Sequence, residues 1–161
     1  MIYPKTFPTL TTSRMEMRSM EQVDVQDFLP IAMRRGRQIT DTIEASNVLR
    51  DVVGGFETQQ TLCWGMFFNG KLIGMCGFFR GFAENRGEIG YILHPEYRRE
   101  GFMLEAIEAA VKYGFQTMEL DEIHAFTASG NHASRGLLQK VGFTWISTQD
   151  LLAQYVRNNI R

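Results

Sequence analysis

Residues 89–106, IGYILHPEYRREGFMLEA, run from an apolar stretch through a proline, four arginine or glutamate charges and a lone glycine into a segment of helical spacing. The apolar part, Gly87 to Leu93, has the length of a strand. From Gly101 to Leu120, Leu104, Ile107, Val111, Phe115 and Met118 recur at steps of three and four. Glu105, Glu108, Lys112, Gln116 and Glu119 form the opposite stripe. A strand that leads through a loop into a helix leaves the first helical N–H groups unpaired, and the helix dipole favours an anion beside them. Gly101 lets a ligand approach the backbone, and Arg98 and Arg99 supply positive charge. Taken alone, the stretch reads equally as a helix entry with solvated charges. Its neighbourhood favours a phosphate site. Gly90 interrupts the strand, as at a bulge or a close backbone approach. A second strand–loop–helix unit, FTASGNHASRGLLQKVGF at 126–143, follows one helix later. Two such units side by side form a cleft at the strand ends, where α/β folds take ligands.

Upstream, TLCWGMFF and KLIGMCGFF flank Asn69-Gly70, a pair suited to a type I′ hairpin turn. Apolar residues occupy both parities of these runs, so helices are expected on both faces of the sheet. Ser13 to Met20 alternates as a half-exposed first strand. Asp24 to Arg35 has helical spacing interrupted by Pro30, which predicts a kink or two short pieces. Thr40 to Val53 reads as a second helix, ended by Gly54 and Gly55. Downstream, Glu122 to Thr127 is a strand, His132 to Val141 a helix stopped by Gly142, and Phe143 to Thr148 a strand. The last dozen residues fit a short strand or a helix. No repeat or linker divides the 161 residues, which predicts one mixed α/β domain.

A formal net charge of −1 argues against a dedicated nucleic-acid binder. Arg34, Arg35 and Arg37 form the one basic cluster outside the opening stretch and read as a solvated helix end. MIYPKTFPTL lacks the apolar segment of a signal peptide, and no run approaches membrane-spanning length. Cys63 and Cys76 sit inside strand-like runs and read as buried thiols. His94, His124 and His132 do not cluster with carboxylates. These features predict a cytoplasmic protein without a metal.

Between Thr12 and Phe143 the chain resembles the GNAT superfamily of acyl-CoA-dependent N-acetyltransferases, in particular the RimJ/RimL-type branch. Thr12, Ser13, Arg14, Met15, Glu16, Met17 and Arg18 resemble the branch's opening T-x-R-L-x-L-R. Glu88, Ile89, Gly90 and Tyr91 match E-I-G-Y. Arg98 and Gly101 match [Q/R]-x-x-G-x-[G/A]. Asn131 and Ser134 match N-x-x-S, and Leu138, Lys140, Gly142 and Phe143 match L-x-K-x-G-F. Met103 stands where the loop usually has glycine or alanine. The tail is shorter than the branch's, so its last strand is expected to be truncated, displaced or completed by a partner.

The resemblance implies a GNAT fold: a mixed sheet of about six to seven strands, splayed open to bind CoA, with helices on both faces. It implies acetyl-CoA as cosubstrate, with pantetheine paired to backbone at Ile92 and Leu93. Arg98 and the amides of Arg99, Glu100, Gly101, Phe102 and Met103 would take the pyrophosphate, and Asn131 would anchor the arm. The reaction implied is direct attack by an amine in a ternary complex, the acceptor being a peptide N-terminus or a small molecule. An α-amino group of pKa about 7.7–8.0 needs only a modest base. Glu88 is the candidate, acting through water; its other reading is a salt-bridged strand residue. Ser134 is the candidate donor to the departing sulfur, or else a first-turn residue satisfying backbone N–H groups. The position that often holds a tyrosine acid is Leu138. His124 reads as a satisfied strand histidine or as a wall of the acceptor cleft. Acceptor walls are expected from the stretch between Arg34 and Thr61 and from the tail, and an open sheet edge near the tail points to a homodimer. A catalytically silent acyl-CoA sensor is the competing reading.

Overall fold

The computed structural model describes residues 1–160. In chain order its elements are β1 (Leu10–Thr11), β2 (Glu16–Arg18), α1 (Val25–Phe28), β3 (Met33–Arg34), β4 (Arg37–Gln38), α2 (Thr42–Gly54), β5 (Leu62–Phe68) and β6 (Lys71–Phe79). There follow β7 (Arg86–Leu93), α3 (Phe102–Gln116), β8 (Glu122–Ala128), α4 (His132–Lys140), β9 (Thr144–Gln149) and β10 (Leu152–Asn158). Eight strands form one sheet in the order β1-β2-β5-β6-β7-β8-β10-β9. Its pairs are antiparallel except β7 with β8. This is the mixed α/β architecture expected, with more strands than six or seven because the two-residue β1 joins the edge.

The β5–β6 hairpin turns at Asn69 and Gly70 with φ of 50° and 78°. Both positions are left-handed, as a type I′ turn requires. The two apolar parities of β5 serve two cores. Leu62, Trp64 and Met66 pack under α3 and α4 with Phe78, Ile107, Val111, Leu138 and Tyr155. Cys63 and Phe67 pack under α1 and α2 with Phe28, Leu49 and Leu72. Each large apolar side chain so buried contributes roughly 1.5–3 kcal/mol by leaving water. Asp41 caps α2 by accepting from the Glu44 amide at 2.7 Å.

Four details differ from the sequence reading. The strand expected at Ser13–Met20 is shortened to β2, Glu16–Arg18, with β1 added before it, and Met15, Met17 and Met20 are buried. The Asp24–Arg35 segment forms the two short pieces expected around Pro30, α1 and a 3-10 turn at Leu29–Ile31, but stops before the arginines. Those arginines lie in the β3–β4 hairpin, not at a helix end. Arg35 and Gly36 turn it at φ of 51° and 77°, while Arg34 pairs with Asp51 at 3.3 Å and Arg37 with Glu44 at 2.9 Å. The tail is neither truncated nor displaced: β10 inserts between β8 and β9 of the same chain, burying Ala153 and Tyr155. The open edge is therefore β9, where Trp145 and Ile146 are half-exposed.

Candidate active site

The parallel register of β7 with β8 runs from Arg86↔Glu122 to Ile89↔Ala125 and ends there. Past that point β7 stays on β6, from Gly77↔Gly90 to Gly74↔Leu93. β8 stays on β10 as far as Leu152↔Ala128. The sheet is parted between them, and β7 residues 90–93 present a strand edge to the opening. Gly90 fits its place for a local reason as well: a Cβ there would stand 3.0 Å from the Phe79 ring.

At the mouth of this wedge the chain turns through Arg99 (φ 65°) and Gly101 (φ 84°) into α3. Gly101 is the N-cap and has no side chain with which to cap, so the first α3 amides face outward unpaired by a side chain. The loop is held from behind. Thr12 Oγ1 donates to Glu105 Oε2 at 2.8 Å and Arg14 Nε to Glu105 Oε1 at 2.5 Å. Arg14 Nη2 donates to the Glu100 carbonyl at 2.8 Å, and its guanidinium lies 4.1 Å over the Phe102 ring. Burial alone would raise the Glu105 pKa; hydrogen bonds from Thr12, Arg14 and Ser13 and the charge of Arg14 outweigh it and hold the carboxyl below its ordinary value. Met103 turns into the core beneath α3, 7% exposed, and so does not fill the mouth. Arg99 and Glu100 are exposed. Arg98 folds back, its Nε donating to the Leu93 carbonyl at 3.3 Å, so that carbonyl already has a partner.

Ser134 and Glu88 are not brought together. Along β7, Ile89, Tyr91 and Leu93 face the α3/α4 core, whereas Ile92 packs on the α1/α2 side, the side of Glu88 by parity. Ser134 stands in the first turn of α4, its amide donating to Asn131 Oδ1 at 3.1 Å. Its Oγ lies 2.7 Å from the Tyr91 hydroxyl. Burial pushes Tyr91 up to about 12, although the Ser134 bond pulls the other way. Tyr91 is the residue the sequence reading left without a role; it stood in view as the last member of Glu88–Tyr91, two positions past the last residue of β7 that pairs with β8. Leu138 is wholly buried.

On the other face, Glu88 Oε1 accepts from Arg80 Nη1 at 2.6 Å. Glu88 stands opposite His124 in the register. His124 Nε2 is 2.8 Å from Glu122 Oε2 and Nδ1 3.2 Å from Gln154 Nε2. Arg80, Glu88, His124, Phe126 and Gln154 line a pocket of ≈ 300 Å³. None of residues 34–61 lines it, whereas Gln154 of the tail does. A larger depression of ≈ 550 Å³ lies between Phe115, Lys140 and Arg157, and no predicted site residue borders it. Cys63 and Cys76 are buried, and burial pushes both thiols up, away from reactivity.

A sheet parted between two parallel strands, with an uncapped helix start at the opening, forms a cleft suited to an anionic ligand with an extended arm. Residues 14–144 match the family model described as acetyltransferase (GNAT) domain, and the chain belongs to that family of N-acetyltransferases. It is 30% identical over 163 residues to the uncharacterized N-acetyltransferase YoaA of Bacillus subtilis, covering 95% of this chain and 90% of that one. RimL, a ribosomal L7/L12 alpha-N-protein acetyltransferase solved in complex with coenzyme A, superposes with a TM-score of 0.83 at 14% identity, covering 94% of this chain and 98% of that one. RimJ of Mycobacterium smegmatis, solved with CoA-disulfide, gives 0.82 at 15% identity over 98% and 90%. At these identities the two structures speak for the fold. Among the described residues no helix is long and apolar enough to cross a membrane.

Proposed function

We propose that residues 1–161 act as one GNAT domain that moves an acetyl group from acetyl-CoA to a primary amine, by direct attack in a ternary complex in the cytoplasm. The observation that carries this reading is the end of β7–β8 pairing after Ile89↔Ala125, beside the uncapped start of α3. Acetyl-CoA supplies the activated acyl group and a thiol of pKa near 8.5 as leaving group. Its residues fit that ligand: Gly101 leaves the space that a Cβ would fill, Met103 is turned away, and the strand edge at Ile92 suits an amide-bearing arm that behaves as an added strand. The amides of residues 99–103 would take the pyrophosphate, with Arg98 beside them and Asn131 at the far side.

Within this reading Glu88 receives the acceptor's proton through water on one face of the sheet. Ser134 Oγ donates on the other, with Tyr91 behind it. Burial pushes the Tyr91 hydroxyl up to about 12, so it stays protonated at neutral pH and its hydrogen bond orients the Ser134 hydroxyl toward the departing sulfur. The thiolate takes its proton from solvent, and Glu88 returns to solvent the one it received. The acceptor is a peptide N-terminus or a small amine; the RimL likeness supports the former. The uncharged edge strand β9 supports a homodimer. Thiol release from acetyl-CoA with a panel of peptides and small amines tests the reading. Acceptor-dependent release is expected, and its absence with every amine contradicts it.

A further inference from the structure

The charges of the ≈ 300 Å³ pocket are not all accounted for by the transfer reaction. Arg86 is committed to the wall: Nη1 lies 2.7 Å from Glu84 Oε2 and Nε 3.1 Å from Glu122 Oε2. Glu122 also holds His124, whose second nitrogen faces Gln154. Arg80 is placed differently. Its side chain is 74% exposed, and among the described residues its only ion-pair partner is Glu88. It stands at φ 65° in a segment that returns to left-handed backbone at Gly81, Glu84 and Asn85, so the loop is shaped tightly around the pocket rim.

We infer that the acceptor is an amine that also bears a carboxylate, and that Arg80 recognises that carboxylate. The inference rests on the proposed role of Glu88 as the group that receives the amine. An ammonium arriving at Glu88 competes with Arg80 for the same oxygen and meets a second cation at hydrogen-bond distance from it. A simple amine or polyamine therefore approaches against repulsion. A carboxylate on the acceptor converts the repulsion into attraction, because the displaced guanidinium can donate two parallel N–H bonds to it. Arg86 cannot substitute, being held by two carboxylates. Phe126, 38% exposed, adds an apolar wall for the carbon skeleton between the two charges. A free amino acid and a peptide with an acidic residue next to its N-terminus share this chemistry.

The test compares tripeptide amides with glutamate, glutamine or lysine at the second position, and free glutamate, as acceptors for the full chain and for Arg80→Ala and Arg80→Glu. Arg80 is exposed, so both variants are expected to fold, which thermal unfolding checks. The glutamate peptide should exceed the glutamine peptide in kcat/KM by about tenfold, largely through KM. Arg80→Ala should erase that ratio and Arg80→Glu should turn it toward lysine. Free glutamate used better than the glutamate peptide assigns an amino acid acceptor; the reverse assigns a peptide. Calorimetry of the same peptides with CoA present reads the preference without turnover. Turnover with no acidic preference, or a preference unchanged in Arg80→Glu, overturns the inference and leaves the transferase reading intact. Acidic preference in binding that depends on Arg80, without turnover, upholds carboxylate recognition by Arg80 but overturns the transferase reading, and with it the assignment of the bound amine as an acceptor. Neither turnover nor binding overturns both.

Discussion

The Tyr91 hydroxyl and Ser134 Oγ lie 2.7 Å apart, and their bond ties the free end of β7 to the first turn of α4 across the wedge. Ser134 is thereby held by two groups, Tyr91 through its hydroxyl and Asn131 through its amide. Removing either end of the Tyr91–Ser134 bond should cost about the worth of one hydrogen bond, ~1 kcal/mol, and so about fivefold to tenfold in kcat. Tyr91→Phe and Ser134→Ala should each show that loss, and the double variant little more, because the two act as a unit. Steady-state kinetics of the three variants checks it.

Tyr91 also makes a stability prediction. Its pKa is raised from 10.0 to about 12, so the folded chain retains a proton that the unfolded chain gives up. The contribution is fully present below pH 10 and is lost as pH rises toward 12. Thermal unfolding of the wild type should therefore fall more steeply over this alkaline range than that of Tyr91→Phe.

Glu105 gives the opposite sign. Burial works against its ionisation, but Thr12, Arg14 and Ser13 outweigh that and hold it below 4.5. The stabilisation is present above the unfolded pKa and is lost as pH falls through the lower folded value. Glu105→Gln should remove part of the acid dependence of unfolding. Because Arg14 also braces the Glu100 carbonyl, Arg14→Ala should raise the KM for acetyl-CoA about fivefold, consistent with ~1 kcal/mol of lost preorganisation.

Gly101 and Met103 separate backbone from packing effects. At φ 84°, Gly101→Ala places a side chain in left-handed backbone, costing roughly 1–2 kcal/mol, and sets a Cβ 3.3 Å from Arg14 Nη2. Affinity for CoA should drop about tenfold. Met103→Ala opens a hole in the core and should destabilise the fold by about 2–4 kcal/mol, read as a lower Tm.

Glu88→Gln should lower kcat/KM at pH 7 by about a hundredfold. Part of the loss should return above pH 8, where an α-amino group is neutral without help. A pH–rate profile with a peptide acceptor measures this.

Much of the fold was legible because its signals are local. Asn69-Gly70 announced the hairpin, and the three-and-four spacing from Leu104 to Met118 announced α3. The β3–β4 hairpin was hidden because two-residue strands have no period to detect, and three arginines there resembled a helix end. β10 stayed open between strand and helix because its turn at Asp150 and Leu151, with φ of 48° and 64°, contains neither glycine nor asparagine. At the site, the position of the amide corner was readable from Gly101 and the helix behind it. The Arg14–Glu105 brace, the Tyr91–Ser134 bond and the Arg80–Glu88 pair were not, since each spans elements that only the folded sheet brings together.

Amide hydrogen exchange with and without coenzyme A tests the central claim most directly. The account predicts slowed exchange at residues 90–93 and 99–104, the open β7 edge and the start of α3, and at the first turn of α4 beside Asn131 and Ser134. Unchanged exchange there, or protection instead around Phe115, Lys140 and Arg157, would contradict it.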